Sequence, residues 1–216
     1  HDYGQDRRKR YPIHVVLHGR DANLNEISFL HRHRGDKPAP NDLAFVQIDV
    51  YGRGNNAYRW AGESDVFEAV DHFLAVESVL GRGVFLDPTR VVLRGFSMGG
   101  AGTWHIGLHR PDQFVVIGPG AGFTTTHGYI PKLPEKLPDY QEDCLSIYDA
   151  LDYAENAFHV PVVAYSGEKD AQMKAAVNIE EKLKKLGIPM THLIAPGLGH
   201  QFPPEWQKKA FAEYAK

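Results

Sequence analysis

The chain has 216 residues, 43% of them hydrophobic, which suffices for the core of one domain. A formal net charge of −3 gives no electrostatic case for nucleic acid, and no apolar run approaches the ~18 residues of a membrane span. One cysteine, Cys144, excludes an internal disulfide, and no signal peptide is legible.

Short β-branched runs alternate with longer helical patterns. Strands are expected at 13–17, 44–49, 90–94, 114–118, 160–166 and 191–195, most of them apolar on both faces, as when helices cover both sides of a sheet. Between them the pattern predicts helices near 23–33, 64–80, 98–109, 144–155 and 171–186, with a last one near 204–215. Ser64 is the expected cap of the second, and Asn23 would cap the first if the loop after "VVLHG" is a simple strand-to-helix turn. Gly81 and Gly187 are the expected stops, and Pro203–Pro204 suits the first turn of the final helix. Alternation of this kind implies an α/β domain with a mostly parallel sheet, whose chemistry collects at the carboxyl ends of its strands. One stretch breaks the rhythm. Residues 119–143 hold four prolines and no periodicity, and such a loop inside a compact domain is expected to cover the site.

Gly95-Phe96-Ser97-Met98-Gly99 follows an expected strand and opens an expected helix. In that context G-x-S-x-G is a nucleophile elbow: the turn is so tight that side chains at 95 and 99 would collide, and it lifts the Ser97 hydroxyl clear of the sheet. A hydroxyl needs a base, and the base an orienting acid. "SGEKD" follows the fifth strand and "GLGH" the sixth, which nominates Asp170 as the acid, with Glu168 as its competitor, and His200 as the base. The amides of Met98 and of Arg20, the latter in the sharp turn after "VVLHG", are the expected oxyanion donors. Arg53, Tyr58 and Trp60 from the loop after the second strand, with Phe123 and His127 from the irregular stretch, are the candidate substrate-binding side chains. Trp104 reads as core and His18 as a turn brace. His31, His33, His105 and His109 lack acidic partners at ligand spacing, so no metal site is expected.

These motifs, "LHG" with a following donor, "GFSMGG", "SGEKD" and "GLGH", resemble those of the α/β-hydrolase superfamily over about residues 12–216. Within it, the chain resembles the polyhydroxybutyrate-depolymerase-like and feruloyl-esterase-like branch grouped with prolyl-oligopeptidase-like hydrolases. The resemblance implies cofactor-free hydrolysis of a small-molecule or carbohydrate-linked ester through an acyl-enzyme. It also implies two further strands ahead of "LHG", for which only about a dozen residues are present, so the first strands are expected to be missing. Two alternatives stand beside the esterase. One is a prolyl-oligopeptidase-type serine peptidase, disfavoured by Met98 where such enzymes tend to carry Tyr. The other is a non-catalytic binding module of the same fold.

Overall fold

The computed structural model describes residues 3–6, 8–35 and 44–216. Its elements alternate from the first strand: β1 (Tyr11–Leu17), α1 (Glu26–His33), β2 (Val46–Val50), α2 (Ala61–Val79), β3 (Leu86–Phe96), α3 (Met98–His109), β4 (Val116–Gly120), α4 (Asp139–Ser146), β5 (Val163–Gly167), α5 (Met173–Leu186), β6 (Thr191–Ala195) and α6 (Pro204–Tyr214). The strands form one sheet in the order β2-β1-β3-β4-β5-β6. Every neighbouring pair is parallel. The apolar runs account for this: every residue of β4 and β5 is buried, which requires cover on both faces.

The chain steps outward from β1 to β2, then returns to the other side of β1 with β3. The loops leaving β1 and β3 therefore diverge, and a crevice opens at that reversal of strand order. Arg20 leaves one of these strands and Ser97 the other.

Most strand ends shift by two to four residues from the sequence expectation, α4 begins inside the stretch expected to be irregular, and three helix boundaries differ in kind. The cap of α1 is Asn25, not Asn23. Asn25 Oδ1 accepts from the Ser28 amide at 2.9 Å and the Ser28 hydroxyl accepts from the Asn25 amide at 3.0 Å, a reciprocal box that Asn23 is too far upstream to make. Helix α2 starts at Ala61, so Ser64 lies inside its first turn; the cap position belongs to Trp60, whose side chain makes no capping bond. The expected helix 144–155 is two pieces, α4 and a 3-10 run over Ala150–Phe158. Asp149 separates them. Its backbone is extended because its carboxylate accepts both the amide and the hydroxyl of Thr126, at 2.9 and 2.8 Å. The stops at Gly81 and Gly187 are as expected, both at positive φ of 68° and 72°.

Candidate active site

Ser97 sits between β3 and α3 at φ 61°, ψ −119°, a region that L residues rarely occupy. The turn closes only because its flanks are bare. A Cβ on Gly95 would lie 2.5 Å from the Gly99 carbonyl oxygen, and one on Gly99 would overlap the Leu17 carbonyl. Elbow and β1 are thus in backbone contact, and the next turn of β1's loop is close too: a Cβ on Gly19 would lie 3.6 Å from the Ser97 Cβ. The Arg20 backbone is thereby brought beside Ser97, and Arg20, Ser97 and Met98 line one cleft. Met98 is the first residue of α3, so its N–H has no acceptor within the helix.

The loops after β5 and β6 are zipped together. The Glu168 amide donates to the Ala195 carbonyl at 3.0 Å and the Lys169 amide to the Leu198 carbonyl at 2.8 Å. The Glu168 carboxylate accepts the Gly197 amide at 2.7 Å, which spends it on the loop rather than on the histidine. Tyr165 on β5 donates its hydroxyl to the Gln201 carbonyl at 2.6 Å, pinning the residue after His200. Asp170, 8% exposed, takes the Gln172 amide on Oδ1 at 2.9 Å and His200 Nδ1 on Oδ2 at 2.7 Å. The opposite ring nitrogen, His200 Nε2, lies 2.8 Å from Ser97 Oγ. With Nδ1 protonated toward Asp170, Nε2 is left to accept the serine proton.

The cleft, about 320 Å³, is lined by these side chains and by Ala121, Phe123, Tyr129, Ala171 and Gln172. The Phe123 and Tyr129 rings stack at 4.0 Å and 13°, so the irregular stretch supplies an aromatic wall. Of the five candidate recognition residues, Phe123 alone lines the cleft. Tyr58 is fully buried. Its hydroxyl accepts the His18 amide at 2.6 Å, and so braces the turn that carries Arg20. Arg53 is turned to the carboxylates of Asp65 and Glu68 on α2, at 3.5 and 3.2 Å. Trp60 is 66% exposed, with its ring edge-on to Tyr148 at 5.6 Å, and His127 is engaged with Glu142 at 2.9 Å. The loop after β2 starts at the right end of the sheet, yet its side chains are engaged elsewhere: Arg53 on α2, Tyr58 on the turn after β1 and Trp60 on Tyr148. Trp104 is core, 1% exposed. Neither Tyr129 nor Gln172 stands out in the sequence: Tyr129 lies in the aperiodic stretch, and Gln172 opens an expected helix without belonging to a motif.

A second Ser–His–carboxylate chain escaped the sequence reading. His192 on β6 bonds Glu180 of α5 through Nδ1 at 2.9 Å and the Ser166 hydroxyl of β5 through Nε2 at 3.0 Å. Ser166 is fully buried, so no substrate reaches it. This chain ties β5, β6 and α5 beneath the loops that carry Asp170 and His200. Among the described residues no group of three or more His, Cys, Asp or Glu side chains could hold a metal ion, and no helix is long and apolar enough to cross a membrane.

Comparison with known proteins places this architecture. The model of the prolyl oligopeptidase family matches residues 38–216. A search of curated protein sequences finds no match. Among solved structures, a ferulic acid esterase superposes with a TM-score of 0.62 at 16% identity, covering 99% of this chain and 86% of its own. The acylaminoacyl peptidase of Pyrococcus horikoshii reaches 0.68 at 15% identity, covering 96% of this chain but 37% of its own. The S-formylglutathione hydrolase of Staphylococcus aureus reaches 0.56 at 17% identity, over 96% and 81%. The chain therefore spans about a third of the peptidase it matches and most of the esterase-type structures. A parallel sheet in this order and a family model that takes in most of the sequence agree: the chain is an α/β-hydrolase-fold serine hydrolase and belongs to the prolyl oligopeptidase family.

Proposed function

We propose that this protein hydrolyses carboxylic esters through an acyl-enzyme on Ser97. The reading is carried by one observation, the unbroken chain Ser97 Oγ–His200 Nε2 at 2.8 Å and His200 Nδ1–Asp170 Oδ2 at 2.7 Å. Ser97 Oγ attacks the ester carbonyl while its proton passes to His200 Nε2. The imidazolium is stabilised by Asp170, and the carbonyl oxygen, now an anion, is held by the Met98 amide at the N-terminus of α3 and by the Arg20 amide from the loop after β1. When the C–O bond to the alcohol breaks, His200 returns the proton to the departing oxygen. Water then enters, His200 takes its proton, and hydroxide attack on the acyl group frees the acid and restores Ser97. No step draws on a cofactor.

The ester preference is supported by two relatives whose own chains are mostly covered by this one, a ferulic acid esterase (86%) and an S-formylglutathione hydrolase (81%), against 37% of the acylaminoacyl peptidase. The cleft also lacks a spare acidic group for a peptide amino terminus: its one carboxylate, Asp170, is occupied on both oxygens. A matched panel of aryl and alkyl esters with the corresponding amides tests the reading. Esters are expected to turn over and amides to be left intact, with Ser97→Ala inactive on all. Faster cleavage of the amides would make the protein a peptidase. Equal background rates for wild type and Ser97→Ala would make it a binding module.

A further inference from the structure

Several of the described arginines are neutralised by carboxylates. Arg32 pairs with Asp21 at 2.7 Å, Arg53 with Glu68 at 3.2 Å, Arg59 with Asp149 at 3.8 Å and Arg90 with Asp87 at 2.7 Å. Arg20 is different. It is exposed and lines the cleft, and among the described residues it has no ion pair and no side-chain hydrogen bond. The nearest carboxylates in sequence and in the cleft are committed elsewhere. Asp21 holds Arg32 and the Asn23 amide, and Asp170 holds His200 and the Gln172 amide. Among the described residues Arg20 is thus the one free formal charge lining a cleft whose other features are the stacked Phe123–Tyr129 wall, small residues and the neutral Gln172. A guanidinium offers a planar fork of donors that matches a carboxylate and is met poorly by a neutral ester group.

We propose that the Arg20 side chain selects esters that carry a free carboxylate next to an apolar or aromatic body. The body lies on Phe123 and Tyr129, and the carboxylate pairs with Arg20. The inference rests on the ester reading of the same cleft and names its substrate class. It adds a second role to Arg20: the backbone amide serves the oxyanion, and the side chain reads the substrate's charge.

Two matched pairs of substrates test it. In one the carboxylate is on the alcohol side, 4-acetoxybenzoate against its methyl ester. In the other it is on the acyl side, monophenyl glutarate against its methyl ester. Wild type is expected to favour the charged member of at least one pair by roughly tenfold to a hundredfold in kcat/KM, the scale of one charged hydrogen-bonded contact. The preference should shrink with added salt, collapse toward unity in Arg20→Gln and survive in part in Arg20→Lys. A wild type indifferent to charge in both pairs, or an Arg20→Gln variant that keeps the preference, overturns the proposal. Calorimetry on Ser97→Ala separates it from the ester reading, because no turnover is needed. Benzoate is expected to bind more tightly than benzamide, with the difference lost on adding Arg20→Gln; equal binding overturns it. If benzoate binds through Arg20 while wild type cleaves no ester, the ester reading fails and the carboxylate site stands.

Discussion

Ser97 and Trp60 hold nearly the same backbone conformation, φ 61°, ψ −119° and φ 52°, ψ −119°, each at the residue that opens a helix. The chain thus builds the same strained turn twice, after β2's loop and after β3. Chemistry separates them: His200 meets the serine, whereas the Trp60 amide donates to the Tyr148 hydroxyl at 2.9 Å and its indole faces solvent.

Strain at Ser97 has a measurable size. Replacement by Ala keeps a Cβ in a disfavoured region, and replacement by Gly removes it, a relief of about 1–3 kcal/mol less a Gly entropy cost of about 0.5–1 kcal/mol. Both variants are expected to be inactive, with Ser97→Gly the more stable in urea by about 1 kcal/mol. An Ala variant as stable as the Gly variant would show that the turn is relaxed.

The two acids after β5 are told apart by what they touch. Asp170→Asn leaves His200 in the wrong tautomer, and kcat is expected to fall by roughly 10³–10⁴. Glu168→Gln keeps an acceptor for the Gly197 amide and should cost far less, about tenfold at most, through a looser base loop. The opposite ranking in steady-state kinetics would move the acid to Glu168.

Tyr58 and Trp60 differ in the same way. Tyr58→Phe strips the acceptor from the His18 amide in a buried site and should lower stability by about 1–3 kcal/mol, with kcat reduced because the turn carrying Arg20 loosens. Trp60→Ala leaves the cleft intact, so small and bulky esters should lose rate equally and little. A selective loss on bulky esters would return Trp60 to the recognition surface.

Two buried histidines set an acid limit. His14 is stacked on Phe45 at 3.7 Å and is pushed down to about 3 by burial and then by the charge of Arg94. His105, buried against the Ala57 carbonyl, is pushed down to about 3, chiefly by burial. Both stay neutral in the fold but take a proton in the unfolded chain below about 6.5, so the unfolded state binds more protons in that window. Stability should be full above that value and fall as pH drops from about 6.5 toward 3, by up to about 1.4 kcal/mol per pH unit for each group. Urea titrations at pH 7, 5.5 and 4.5 check this. His14→Gln should start less stable and lose less on acidification; an unchanged acid slope would remove His14 from the explanation.

The parts of the site that sequence revealed are those fixed by the backbone. Gly95 and Gly99 announce the elbow because no other residue fits against Leu17 and Gly99's own carbonyl, and strand order points to His200 and to the pair Glu168 and Asp170, leaving the choice between the two acids to their tertiary contacts. Side-chain direction is a tertiary matter. Nothing local distinguishes Arg53, bound to Asp65 and Glu68, from Arg20, bound to nothing described. The break at Asp149 depends on Thr126, 23 residues upstream, and the Ser166–His192–Glu180 chain draws on three separate elements. No window of sequence displays either. Tyr129 joined the wall by stacking on Phe123, a contact across an aperiodic segment.

The most direct measurement is labelling of the intact protein with a fluorophosphonate, followed by peptide mapping and by the rate of aryl-ester hydrolysis before and after. The expected result is one adduct, on Ser97, with activity lost in proportion to labelling and no adduct in Ser97→Ala or at the same rate in His200→Ala. Stoichiometric labelling at another residue, or full ester hydrolysis by a completely labelled protein, would contradict a nucleophilic Ser97.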